Sequence, residues 1–192
     1  MKTIILIIGF SIIMVSFEMR ANDTQTSANK YSLSALCGYE TIAKEIALLD
    51  SNSKLLRVFS QNINQDGTSN EWVYDFVSLS MKKIISISYK IIDGNEYIEI
   101  DSTENDMLSN YVITSKWIDC SIAFQKVKMH AGNRFKNRNY LKNISAELLE
   151  EIVHNSVPTW EITFYTEEKI IYIINAINGK MLGIRYTNKC LK

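Results

Sequence analysis

The sequence predicts an α+β protein made of two tandem modules, each a helix laid across an antiparallel sheet. Three observations carry that expectation. In each half of the 192-residue chain an amphipathic segment precedes a run of strand-like segments, the two runs share residue patterns at matching places, and Gly-containing turns separate the strands at hairpin spacing.

In the first half, Leu36, Ile42, Ala43, Ile46, Ala47 and Leu49 recur with helical spacing between Ser34 and Leu49, with Glu40, Lys44 and Glu45 among them. The cluster Asp50-Ser51-Asn52-Ser53 ends this helix, because its short polar side chains compete for backbone hydrogen bonds. Strand composition follows at residues 55–62, 72–79, 83–92 and 97–100. Gln65-Asp66-Gly67-Thr68 and Asp93-Gly94-Asn95 lie between strands, and Asp-Gly supplies the positive φ of a tight hairpin turn.

The second half repeats this order. Residues 120–131 form a helix candidate, with Ile122, Ala123, Val127 and Ala131 on or near one face, and residues 160–165, 169–177 and 181–186 read as strands. Trp72 and Phe76 have the same separation as Trp160 and Phe164. Lys83-Ile84-Ile85 matches Lys169-Ile170-Ile171, and Asp93-Gly94 matches Asn178-Gly179. Residues 33–116 and 117–192 are therefore read as two copies. Trp72, Phe76, Trp160 and Phe164 are expected in their cores, where a large side chain contributes roughly 1.5–3 kcal/mol. An exposed aromatic strip on the sheet is the other use for such a row. Residues 145–154, with Leu148, Leu149, Ile152 and Val153, are expected to form a short helix confined to the second copy and halted by Pro158.

Ahead of both copies, Lys2 precedes an apolar run over residues 3–17, which Glu18 and Arg20 close. A positive start followed by such a run is the pattern of an export signal, shorter than the ~20 residues that span a membrane. Residues 1–21 are read as a signal peptide cleaved near Ala21, leaving no stable membrane span, and residues 22–32 as a polar linker; an uncleaved anchor is the alternative. The protein is thus expected in a periplasm or outside the cell. There the sequons Asn22-Asp23-Thr24 and Asn143-Ile144-Ser145 carry glycans only in a eukaryotic source.

Lys and Arg balance Asp and Glu at 21 each, which gives nucleic acid no global electrostatic attraction. A hydrophobic fraction of 46% and a single proline mark a globular chain. Three cysteines, Cys37, Cys120 and Cys190, permit one internal disulfide at most, and Cys120 with Cys190 is the expected pair. Three unpaired thiols are the alternative. Residues 133–143 form a basic insertion in which Arg134, Lys136 and Arg138 alternate with Phe135 and Tyr140, either a solvated loop or a loop that meets a protein partner.

No catalytic constellation emerges. Cys120 and His130 lie ten residues apart on one helix, a separation of ~15 Å. Glu151 and His154 alone are too few ligands to close a metal site. The carboxylate pairs Glu150-Glu151 and Glu167-Glu168 read as solvated surface. No enzyme activity, metal or cofactor is expected.

Residues 157–164, Val-Pro-Thr-Trp-Glu-Ile-Thr-Phe, and 170–182, Ile-Ile-Tyr-Ile-Ile-Asn-Ala-Ile-Asn-Gly-Lys-Met-Leu, resemble the PepSY family. That family carries a W-E-V-x-F strand, then a strand close to Y-x-I-D-A-x-T-G and a strand opening on K/E-V-L. Asn175 stands here in place of the usual Asp and Asn178 in place of the usual Thr. The first copy matches more loosely, through residues 43–48 and 72–76. The resemblance implies a small helix-on-sheet module of exported and envelope proteins that binds or inhibits. A tandem pair is also similar to secreted β-lactamase inhibitor proteins and to the cystatin-like group. The resulting expectation is an exported, non-catalytic binding module with a protein partner, including a peptidase or hydrolase inhibitor. An envelope small-molecule binder is the first alternative and a small secreted enzyme the second.

Overall fold

The computed structural model describes residues 2–8, 11–17, 31–104, 112–132, 143–151, 157–165 and 168–188. Within them, helix α1 (Ala35–Leu49) leads into strands β3 (Lys54–Ser60), β4 (Glu71–Ser78), β5 (Lys83–Ile92) and β6 (Asn95–Glu104). Helix α2 (Cys120–Ala131) leads into β7 (Ile144–Glu151), β8 (Val157–Tyr165), β9 (Glu168–Asn175) and β10 (Met181–Asn188). The N-terminal apolar run forms strands β1 (Lys2–Ile8) and β2 (Ser11–Phe17), paired antiparallel from Lys2↔Phe17 to Ile8↔Ser11. They form a separate two-stranded sheet.

The other eight strands form one antiparallel sheet in the order β10-β9-β8-β7-β3-β4-β5-β6. This overturns the expectation of two tandem helix-on-sheet modules. The first strand of each half would leave an unpaired edge in a free-standing module; instead β3 and β7 pair antiparallel from Arg57↔Leu149 to Ser60↔Ala146. Pairing satisfies both rows of backbone donors and acceptors and fuses the halves. The core is likewise one cluster. Trp72 and Trp160, both fully buried, meet edge to face at 6.1 Å, and Trp117 reaches Trp160 at 5.8 Å.

The short helix expected at residues 145–154 is also corrected, because β7 occupies residues 144–151. Ile144, Ala146 and Leu148 are 1%, 1% and 0% exposed, a period of two that puts alternate side chains into the core. The helical reading relied on adjacent leucines. Pairing with β3 on one side and β8 on the other decides the matter against local propensity.

Each helix covers the same side of the sheet through a short apolar stripe. In α1 the buried positions are Ala35, Gly38, Ile42 and Ile46, and in α2 they are Cys120, Ala123, Phe124 and Val127. Gly38 is required by close approach: a methyl group there would collide with the Tyr74 hydroxyl, which donates to the Ala35 carbonyl at 2.8 Å. At the β5–β6 hairpin, Asp93 and Gly94 take φ values of 51° and 80°, as an Asp-Gly two-residue turn requires.

Candidate functional site

With both helices on one side, no described helix lies on the opposite side of the sheet, and side-chain alternation decides what that side presents. On β4, Trp72, Tyr74 and Phe76 point to the helices, so Val73, Asp75 and Val77 take the other face. On β3 a bulge between Leu55 and Arg57 shifts the alternation. Leu55, Val58 and Ser60 are buried, and Arg57 and Phe59 emerge on the helix-free side. Cross-strand register then aligns Arg57 with Asp75 and Leu149, Asp75 with Ser86, and Phe59 with Glu147 and Val73.

These residues form a charged cluster at the centre of the sheet. Arg57 donates from Nε and Nη2 to Asp75 Oδ2 at 2.9 and 2.6 Å, and from Nη1 to Glu147 Oε1 at 3.3 Å. Ser86 donates to Asp75 Oδ1 at 2.7 Å. Asp75 is thereby fully engaged and its side chain is 6% exposed, whereas the Arg57 side chain is 42% exposed. The guanidinium carbon lies 4.3 Å from the Phe59 ring centroid, a cation–π contact that orients both groups. Sheet residues to either side extend the polar surface. Lys90 binds Glu99 at 2.8 Å and Glu71 at 3.3 Å; the Glu99 bond, ahead of the other causes, raises its pKa. Arg185 binds Glu161 at 3.2 Å.

A cleft of about 270 Å³ opens beside Phe59. Phe59 and Val73 supply apolar wall, and Gln61, Asn62, Asn70 and Glu71 supply amides and a carboxylate. Ser60 and Ser69, 2.9 Å apart, belong to the frame: Ser69 Oγ donates to the Asn62 carbonyl at 2.8 Å and accepts the Glu71 N–H at 3.1 Å.

The residues singled out by sequence lie elsewhere. Trp72, Phe76, Trp160 and Phe164 are 0–2% exposed on the helix side. Each tryptophan N–H donates to the carbonyl two residues ahead of a helix: Trp72 to Leu33 at 2.9 Å and Trp160 to Ile118 at 2.8 Å. Arg134, Phe135, Lys136, Arg138 and Tyr140 lie outside the described residues, as do His154 and Cys190. Cys120 is fully buried, and Cys190, its expected disulfide partner, lies outside the described residues. Burial first, and then the negative charges of Asp119 and Asp66, push the Cys120 pKa well up, so the nucleophilic thiolate is suppressed. Among the described residues no three His, Cys, Asp or Glu side chains are grouped to hold a metal. No described helix is long and apolar enough to cross a membrane.

Sequence reasoning passed over Arg57, Phe59, Asp75 and Glu147. A signal was present in the charges that interrupt two otherwise apolar strands, Arg57 in Leu-Leu-Arg-Val-Phe and Asp75 in Trp-Val-Tyr-Asp-Phe-Val. Nothing local says that the two strands pair in the register that joins these charges.

No family model matches the chain, and no curated protein matches it, so the PepSY resemblance rests on the quoted residues alone. Among solved structures the fold is similar to that of a "putative lipoprotein" from Clostridium difficile 630. The TM-score is 0.53 at 7% identity, over 78% of this chain and 92% of that one. At that identity the similarity concerns the fold.

Proposed function

We propose that this chain is an exported, non-catalytic binding protein that meets a protein partner through the helix-free face of its sheet. The observation that carries the reading is Arg57, half exposed and stacked on Phe59 at the centre of the sheet, anchored below by the buried Asp75. Arginine and aromatic side chains dominate the energetics of protein interfaces when they are central and held in place. Here the partner's approach need not immobilise Arg57, because the fold has already fixed it.

Export is supported by Lys2 and the apolar run after it. The β1–β2 hairpin lies against β6 at the edge of the sheet, and its removal would leave every strand pair of the eight-stranded sheet intact. The structural neighbour's description as a lipoprotein and the PepSY-like motif agree with an envelope or secreted setting. The same motif favours inhibition of a peptidase or hydrolase as the form of binding. The cleft beside Phe59 supports a second reading, a small-molecule binder.

Affinity capture with the exported protein as bait, from its own extracellular or envelope extract, separates the readings. Recovery of one peptidase or hydrolase, lost with Phe59→Ala, is the expected result; a co-purifying small molecule with no protein favours the second reading. Mass spectrometry of the exported form should place its N-terminus between about residues 19 and 26. An intact Met1 would refute cleavage.

A further inference from the structure

The cleft beside Phe59 is built from a frame that fixes its rim and side chains that select a class of ligand. Ser60 and Ser69 are 3% and 1% exposed, and their hydroxyls lie 2.9 Å apart. Ser60 Oγ accepts the Asn62 N–H at 3.3 Å, while Ser69 Oγ donates to the Asn62 carbonyl at 2.8 Å and accepts the Glu71 N–H at 3.1 Å. The Asn70 carbonyl accepts the Ile91 N–H at 2.8 Å. Two buried hydroxyls thus hold the rim in one geometry before anything binds. The same bonds occupy these main-chain groups of the rim, so they are not open to a peptide entering as an added strand.

Recognition is left to side chains. Gln61, Asn62 and Asn70 present exposed amides to the cleft, and none of the three hydrogen-bonds another described residue through its side chain. The Glu71 carboxylate accepts Ser88 Oγ at 3.0 Å and faces Lys90 Nζ at 3.3 Å, so its charge is balanced by a group outside the cleft. Among the described residues no Lys, Arg or His lines the cleft, which gives an anionic ligand no counter-charge. Phe59 and Val73 supply an apolar wall. An amide donates and accepts side by side, as neighbouring sugar hydroxyls do, and the C–H face of a sugar ring suits an aromatic wall. At about 270 Å³ the cleft falls just under the ~300–1,000 Å³ common to ligand sites, room for the end of a glycan and not for its length.

We propose that this cleft binds the end of a neutral glycan. Phe59 and Val73 take the C–H face of a sugar ring, and Gln61, Asn62, Asn70 and Glu71 hold its hydroxyls. This assignment rests on the small-molecule reading of the cleft and gives that molecule its class.

Isothermal titration calorimetry of the exported form tests it. The probes are maltotriose and chitotriose as neutral glycans, trigalacturonic acid as an anionic one, and an end-blocked alanine tripeptide. At least one neutral trisaccharide should bind, and the acid and the peptide should not. Gln61→Ala and Asn70→Ala should each weaken that binding roughly three- to tenfold, the loss of one hydrogen bond, with the melting temperature unchanged. Tighter binding of the acid or the peptide overturns the proposal, as does parental affinity in a variant carrying both substitutions. Failure of both neutral trisaccharides to bind overturns it too, and small molecules that co-purify with the exported protein then separate the two levels of the reading. A non-sugar molecule lost with Phe59→Ala keeps the cleft as a small-molecule site, whereas no co-purifying molecule removes both.

Discussion

Two side chains show how single residues hold this fold. Trp160 combines complete burial, edge-to-face contact with Trp72 and Trp117, and a hydrogen bond to the Ile118 carbonyl. Trp160→Ala should destabilise the protein by about 3–5 kcal/mol, from lost burial and the cavity left behind. Thermal denaturation followed by near-ultraviolet circular dichroism would register the fall, and an unchanged melting temperature would contradict a core role. Asp50 works by charge. Hydrogen bonds from Ser78, then Ser80, then the Asn52 backbone lower its pKa from 3.8 to about 2. A carboxyl whose folded pKa is depressed adds stability above its unfolded value and loses it as pH falls through the folded one. Asp50→Asn should therefore be less stable than the parent at neutral pH, and the gap should narrow from 3.8 downward and close below about 2. Urea titrations across that range would check it; a gap that is independent of pH would show that charge plays no part.

At the scale of elements, the two helices begin against each other. Asp119 caps α2 by accepting the Ser121 N–H on Oδ1 at 3.1 Å, and its Oδ2 accepts the Leu36 N–H in the first turn of α1 at 3.2 Å. Ser34, the residue that caps α1, holds one described N–H, that of Cys37, at 3.3 Å. An N-cap removed costs about 0.5–2 kcal/mol, so Asp119→Ala should cost about twice as much as Ser34→Ala. Chemical denaturation of the two variants gives the comparison, and equal losses would show that the link between helices adds nothing. The span of α1 was legible in the sequence as an apolar-periodic run between Ser34 and Leu49. The shared use of Asp119 was not, because Leu36 and Asp119 are 83 residues apart and meet only when the halves fuse. β7 fails in the same way, since a segment with adjacent leucines becomes a strand only when β3 and β8 lie on either side of it.

For the two halves together, one eight-stranded sheet and one core cluster imply one folding unit. Calorimetry should give a single transition whose calorimetric and van't Hoff enthalpies agree. Two resolved transitions, one for each half, would mean that the β3–β7 pairing and the Trp72–Trp160 contact are weak joints. The fused sheet also explains why a wide helix-free face exists at all. Arg57 on β3 reaches Glu147 on β7 only across the joint between the halves, so the candidate site belongs to the assembled sheet and to neither half alone.

By itself the sequence determined the local elements: both helices, the strands through Trp72 and Trp160, the Asp93-Gly94 turn and the polar segment that ends α1. Those features follow from periodicity, capping and turn chemistry, which act over a few residues. Only the tertiary structure decided that the repeated halves share one sheet, that residues 144–151 are a strand, and that Arg57, Phe59, Asp75 and Glu147 stand together. Strand pairing joins residues without regard to their separation along the chain, and a one-residue bulge in β3 is enough to choose which face Arg57 occupies.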